Sequence, residues 1–378
     1  MISELPSSPA GEMACTPLKR TLDQSLGASS PSIRNLSHTP TDSISSTSSW
    51  STSVAPQNHK DLLPDAKCGD SIDSKLSMEW NPANERLIRE PYDYIAALPG
   101  KEIRRRLLDA FNVWLKVDDE SCEIIARTIT MAHNASLMID DIQDNSQLRR
   151  GVPTAHRVYG IAQTINSANY VYFQAQQELM RLKNWPQALA IFNEELINLH
   201  RGQGMELFWR DNFQPPSEGD YLQMIANKTG GLFRLILRLL QCASTRIVDI
   251  TPLANVVGLF FQILDDYKNM VDDKMAAQKG YCDDLTEGKF SFPICHAIWT
   301  ESSRKDDILD ILRMKTEDDT LKACAVMSLR QSGSFGYTRE VLEQLNKRAR
   351  ELLLDLKIPN PKLEALLDNL VKSLQACH

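Results

Sequence analysis

The sequence predicts an all-α fold, one large helical bundle with an active-site cavity between its helices. Two observations predict it. Beyond residue 80, apolar residues recur at helical spacing, and no segment alternates convincingly with the two-residue period of a strand. Two acidic clusters, Asp140-Asp141-Ile142-Gln143-Asp144 and Asp265-Asp266-Tyr267-Lys268-Asn269, each close an apolar run. Helices that carry carboxylates at the end of an apolar face suit a bundle whose site is built from facing helices.

Residues 1–80 read as a disordered, Ser/Thr-rich N-terminal extension. The run from Thr41 to Ser49 is low in complexity, and such a segment cannot bury enough apolar surface to offset its ordering entropy. A dispensable or regulatory tail is expected there. An organellar transit role fits less well with Glu4, Glu12 and Asp23.

Residues 81–378 form the expected domain, with Leu87, Ile88, Tyr92, Tyr94 and Ile95 as its first apolar set. Helices are expected over 101–117, 119–142, 160–182, 186–208, 218–241, 251–275, 289–299, 305–314, 318–331, 336–355 and 360–376. In the last, Leu363, Leu367, Leu370 and Leu374 keep one face. Gly230 and Gly231 interrupt a helical stretch. Each costs about 1 kcal/mol in a helix interior, so the pair implies a kink or a close backbone approach.

Composition excludes several classes. A 42% hydrophobic content supports a core, and no apolar run nears the roughly 18 residues that span a membrane. The net charge of −7 argues against a general nucleic-acid binder. Eight scattered cysteines without a CxxC pair suit thiols in a reducing compartment. No secretory signal is visible, and the terminal Ala376-Cys377-His378 matches neither a peroxisomal nor a prenylation address. A cytoplasmic location is expected.

The acidic clusters carry the chemistry. In a helix, Asp140 and Asp144 lie one turn apart, about 6 Å along the axis, on one face. Such a pair can share Mg²⁺, which takes its remaining ligands from water and substrate phosphate. Around the pair stand groups suited to anions. Lys101 and Arg104 flank a helix start, and His133 lies two turns before Asp140. Arg149-Arg150 follows through a polar turn, and arginine binds phosphate in a bidentate way. Lys228 and Thr229 sit beside the glycine pair; Gln262 and Asn269 share a face with Asp265. Lys279 and Lys289 add two loop cations. Each feature alone could be an ordinary solvated or core position. Their joint occurrence around two acidic clusters points to a two-diphosphate site.

From His133-Asn134-Ala135-Ser136-Leu137 to Arg149-Arg150-Gly151, the chain resembles the eukaryotic trans-prenyl diphosphate synthases. The same holds for Ile165 to Tyr170, Leu199 to Gly204, Asn227 to Arg234 and Leu285 to Pro293. Within that family the resemblance is to the geranylgeranyl diphosphate synthases of fungi. It implies an isoprenoid-synthase type of bundle, a homodimer or higher homo-oligomer, and Mg²⁺, three ions per site. It implies isopentenyl diphosphate held by Lys101, Arg104, His133 and Arg150. The allylic diphosphate would meet Arg149, Lys228, Thr229, Gln262, Asn269, Lys279 and Lys289. Metal would sit on Asp140, Asp144 and Asp265, with Asp141 and Asp266 in support. Chain length would be set by small Ala135 and Ser136, with Tyr172, Phe173 and His200 as the floor. Glu206 departs from the family pattern, where an Asp is expected. A terpene cyclase would need no second diphosphate pocket, and an inactive regulatory homologue would not keep both acidic clusters.

Overall fold

The computed structural model describes residues 80–100, 102–272, 280–300 and 302–377. The expected cations Lys101 and Lys279, and all but the last residue of the 1–80 segment, lie outside them. Helices α1 (Pro82–Ala96), α2 (Ile103–Leu115) and α3 (Asp119–Gln143) come first. A short hairpin, β1 (Leu148–Arg149) and β2 (Val152–Pro153), and the brief α4 (Ala155–Tyr159) follow. The long helices α5 (Ile161–Leu179), α6 (Trp185–Asp211), α7 (Glu218–Ala243) and α8 (Thr251–Val271) form the centre. Helices α9 (Asp283–Glu287), α10 (Phe292–Trp299), α11 (Lys305–Met314), α12 (Asp319–Gln331), α13 (Ser334–Asp355) and α14 (Pro361–Gln375) complete the chain.

Local chemistry explains most boundaries. The Asp118 carboxylate caps α3 by accepting from the Ser121 N–H at 2.9 Å, and Asp119 and Glu120 add negative charge at the positive helix end. Ser217 caps α7 in the same way, accepting from the Asp220 N–H at 3.2 Å. Asn360, fully buried, caps α14 and also donates to the Ala110 carbonyl of α2 at 2.8 Å. Pro186, Pro252, Pro293 and Pro361 stand in first turns, where a missing N–H costs nothing.

Two expectations change. The segment after the first acidic cluster is not only a turn: Leu148 pairs with Pro153 and Arg149 with Val152 in an antiparallel ladder. Arg150 and Gly151 at its tip have φ of 55° and 83°, the left-handed pair that a tight hairpin turn demands. The glycine pair does not break α7, which runs unbroken from Glu218 to Ala243. Close approach is its reason: a Cβ on Gly231 would lie 3.3 Å from the Glu195 carbonyl oxygen.

The main core runs through α2, α3, α6, α7, α8, α10 and α13, with Phe111, Trp114, Phe192, Phe233 and Phe260 among its fully buried side chains. Helix α6 packs along α7, α3 along α5, and α8 against both α7 and α13. A smaller cluster joins Tyr92 and Ile95 of α1 to Ala135, Met138, Ala168 and Val171. The six described cysteines form no disulfide, and no described helix is long and apolar enough to cross a membrane.

Candidate active site

A cavity of about 530 Å³ opens between α2, α3, α5, α6, α7 and α8. Helix α3 presents His133, Ser136 and Asp140 to it, residues spaced three and four apart and therefore on one face. Asp140 is the lining carboxylate of the first motif; its Oδ1 accepts from Gln203 at 2.9 Å and lies 3.4 Å from the Lys228 ammonium. Asp141, one residue on and 100° round the helix, is buried and accepts from Arg149 Nε at 2.8 Å. Asp144 ends α3 one turn later, its N–H donating to the Asp140 carbonyl at 2.8 Å. Arg210 of α6 holds its Oδ1 at 2.5 Å. Burial, and then the charges of Asp140 and Glu206, push Asp144 up to about 7 despite Lys228 and Arg210.

The second motif repeats the division of labour. Asp265 lines the cavity. Asp266 is buried and gathers Gln262 Nε2 at 3.0 Å, Lys289 Nζ at 3.1 Å, the Phe292 N–H at 2.9 Å and the Tyr221 hydroxyl. Gln262 in turn bonds the Thr229 hydroxyl. Burial opposes the Lys289 charge, but Asp266 and Asp284 outweigh it, so the ammonium is held well above its ordinary range. Lys228 behaves alike: burial is overcome by Asp140, Glu206 and Asp144.

A second group of donors reaches the cavity from α2, α3 and the hairpin tip. Arg104, His133 and Arg150 line it together with Gly100. Burial first, then Arg150, lowers Arg104 to about 10, and no described protein group bonds its buried Nε. Burial and the neighbouring Arg104 and Arg150 guanidinia hold His133 well below the usual imidazole range, so it is neutral. Arg150 is itself aimed by the hairpin turn, donating to the Leu98 carbonyl at 2.7 Å. Cations that depress one another's charge in this way are arranged to receive an anion.

The family model of the polyprenyl synthetases matches residues 85–328 of this chain. The chain belongs to the polyprenyl synthetase family. A geranylgeranyl pyrophosphate synthase of Emericella nidulans is 66% identical over 309 residues, 82% of this chain and 78% of that protein. Geranylgeranyl pyrophosphate synthase 1 of Zymoseptoria tritici is 53% identical over 283 residues, 72% and 82% of the two chains. A protein of Matsumurasca onukii named terpene synthase is 50% identical over 290 residues, 76% and 94%. The all-α architecture is the one such a synthetase is expected to have, and the family is generally Mg²⁺-dependent.

Does the donor set suit that ion? Asp140 and Asp265 offer hard oxygen ligands on the cavity wall, while Asp144, one turn from Asp140, lies outside the lining with its carboxylate on Arg210. Among the described residues, however, no three carboxylates, histidines or cysteines converge as a ready-made cage. That fits Mg²⁺, which is usually held by one or two carboxylates while water and substrate phosphate complete the octahedron.

Several expected residues sit elsewhere. Asn269 is buried, and its side-chain oxygen accepts from the Asp284 N–H at 3.1 Å outside the cavity lining. Ser136, Tyr172 and His200 line the cavity, the two rings 6.1 Å apart. Ala135 is buried in the smaller core cluster instead, and Phe173 is 68% exposed on the outer face of α5. Neighbours in a helix point 100° apart, so Ala135 and Phe173 are carried off the cavity, to the core and to the outer face, while Ser136 and Tyr172 line it. Sequence reading missed Gln203, Glu206 as a Lys228 partner, and Arg210. Their spacing of three and seven was the available signal: a polar stripe on a helix otherwise bound for the core.

Proposed function

We propose that this chain makes geranylgeranyl diphosphate, condensing isopentenyl diphosphate with dimethylallyl, geranyl and farnesyl diphosphates in a Mg²⁺-dependent reaction. The observation that carries the reading is the pair of anion-binding donor groups on one cavity, Arg104, His133 and Arg150 against Lys228, Thr229, Gln262 and Lys289, with Asp140 and Asp265 on its walls. A cyclising enzyme takes one diphosphate and has no use for the first group. The relatives named geranylgeranyl pyrophosphate synthases support the product assignment.

In this reading Arg104, His133 and Arg150 bind isopentenyl diphosphate, with Lys101. Arg149, Lys228, Thr229, Gln262 and Lys289 meet the allylic diphosphate, and Lys279 is assigned to the same group by the resemblance alone. Asp140, Asp144 and Asp265 would hold Mg²⁺, three ions per site, which as Lewis acid neutralises the departing diphosphate. Lys228 and Lys289, kept charged by their carboxylate partners, stabilise the same leaving group. As the allylic C–O bond breaks, the isopentenyl double bond attacks the cation. The new cation loses a proton to the released diphosphate, so no protein base is required. Leu137, Tyr172, Leu199, Leu232 and Phe261 give the cavity its apolar wall against water.

Catalysis belongs to residues 81–378 in this reading, and residues 1–80 are an extension of a cytoplasmic enzyme. Removing them should leave turnover and thermal midpoint near wild type; loss of active protein would overturn that division. A homo-oligomer is part of the same reading, supported by Ile161, Ile165 and Phe173 of α5 and Ile197, Met205 and Phe208 of α6, which expose large apolar side chains. Phe173→Glu should lower the mass measured by light scattering, whereas an unchanged mass would contradict this face. The decisive experiment incubates the protein with Mg²⁺, labelled isopentenyl diphosphate and each allylic primer, then separates the dephosphorylated products. A twenty-carbon alcohol is expected; a fifteen-carbon product or a cyclic hydrocarbon would overturn the assignment.

A further inference from the structure

Lys228 and Thr229 owe their place to a zone where three helices touch backbone to backbone. A Cβ on Gly202 of α6 would lie 2.4 Å from the Lys228 nitrogen, and one on Gly258 of α8 would lie 3.2 Å from the Gly230 Cα. Arg234 fills the slot that Gly230 leaves. Its Nη1 stands 3.2 Å from where a Gly230 Cβ would be. From there Nη1 donates to the Ala226 carbonyl at 2.7 Å and reaches Asn255 Oδ1 of α8 at 3.4 Å. Its Nε and Nη2 hold Glu195 Oε2 of α6 at 3.1 and 2.9 Å. Glu195 is 2% exposed. One planar cation therefore joins α6, α7 and α8 directly behind the turn that carries Lys228 and Thr229 to the cavity. Arg238 shares Glu195, at 2.7 Å, but its other partner is Glu194, not that turn.

We propose that Arg234 is a positioning residue for the allylic-diphosphate side of the site, fixing the turn Ala226–Thr229 against α6 and α8. The proposal rests on the condensation reading above. Guanidinium supplies several donors in a fixed plane, which a lysine ammonium on its flexible stem cannot match. Reacting groups tolerate little displacement, and a shift of about 1 Å can cost 10²-fold.

The test measures steady-state constants for both substrates, and the thermal midpoint, in Arg234→Met, Arg234→Lys, Gly230→Ala and Arg238→Met. Arg234→Met should raise the allylic KM about tenfold and leave the isopentenyl KM within about twofold, the size of one lost charge-assisted hydrogen bond. Arg234→Lys keeps the Glu195 pair and should recover the midpoint while keeping part of the KM defect. Gly230→Ala pushes the guanidinium from its slot and should raise the same KM, which keeps the question answerable if Arg234→Met fails to fold. Arg238→Met should lower the midpoint and leave both KM values unchanged. Equal changes in the two KM values, or an Arg238→Met profile matching Arg234→Met, would overturn the positioning role. Failure of the condensation reading shows separately, as a wild-type protein that consumes neither diphosphate.

Discussion

At the first acidic cluster, the buried Asp141 accepts from the guanidinium of Arg149; at the second, Asp266 gathers groups from α7, α8, α10 and the loop before α10. The positions of the two clusters explain the contrast. Asp140, Asp141 and Asp144 crowd the C-terminal end of α3, where carbonyl dipoles already disfavour negative charge. Long cations from other elements, Arg149, Lys228 and Arg210, balance them. Asp265 and Asp266 lie within α8, away from its end, and there the buried carboxylate ties elements together. The first cluster is thus a balance of charges brought from other elements, and the second is part of the frame. Similarity of motif does not imply identity of role.

Removing the cavity-facing carboxylates should have the largest effect and should erase the contrast. Asp140→Ala and Asp265→Ala are each expected to lower turnover about 10³–10⁴-fold, the scale of losing preorganised charge stabilisation at the reacting centre. Circular dichroism should show both folded. Near-normal turnover in either one would break the symmetry of the site.

The buried partners should separate the two clusters. Asp266→Ala leaves Lys289 buried without its main counter-charge and should cost about 3–5 kcal/mol. Asp141→Ala still leaves Arg149 near Asp140, 3.8 Å away. Its cost should be about 1–3 kcal/mol. Denaturant titration decides, and equal losses would mean that the second cluster is no more structural than the first. Within it, Tyr221→Phe removes one donor from Asp266 and should cost about 1–2 kcal/mol. A neutral result would place Tyr221 outside the frame.

How much of this was legible in sequence follows the same line. Helical spacing reveals which residues share a face, so His133, Asp140 and Ser136 could be grouped, as could Gln262 and Asp265. It also separates Asp140 from Asp141, but not which element will supply Arg210 or Tyr221, since those contacts join residues 66 and 45 positions apart. A hairpin with two residues per strand lies below any periodicity. Asn269 illustrates the remainder: it keeps the spacing of a site residue, yet the fold turns it to the Asp284 backbone.

His133 gives a smaller test on the first wall. Its folded-state affinity for a proton lies below that of the unfolded chain. Under acid the unfolded state therefore takes up a proton that the fold refuses. Stability from this group is complete above about pH 6.5 and is lost as pH falls below it, by at most about 1.4 kcal/mol per pH unit. His133→Asn should flatten that part of the substrate-free stability profile. An unchanged slope would show that the imidazole is already charged.

The subtlest contrast lies one turn below the cavity-facing carboxylates, and it concerns product length. Four residues before Asp140 stands Ser136, its hydroxyl folded back onto the His133 carbonyl at 2.7 Å; four before Asp265 stands Phe261. The first wall is therefore hollow where the second is filled, and a growing chain should run along α3. In this account Tyr172 and His200, which line the same cavity from α5 and α6, close that path, the half-buried Tyr172 setting its hydroxyl against Ser136. If this is the ruler, Ser136→Phe should shift product toward fifteen carbons. The stability cost falls on Ala135→Phe instead, about 1–3 kcal/mol for overfilling the packed smaller core. Tyr172→Ala and His200→Ala should lengthen the product. Ala135→Phe and Phe173→Ala should change length less, because neither side chain lines the cavity; the first acts on core packing and the second on the exposed face of α5. Chromatography of dephosphorylated products reads all five. A length change in Phe173→Ala without one in Tyr172→Ala would place the floor on the outer face of α5 and refute the hollow-wall account.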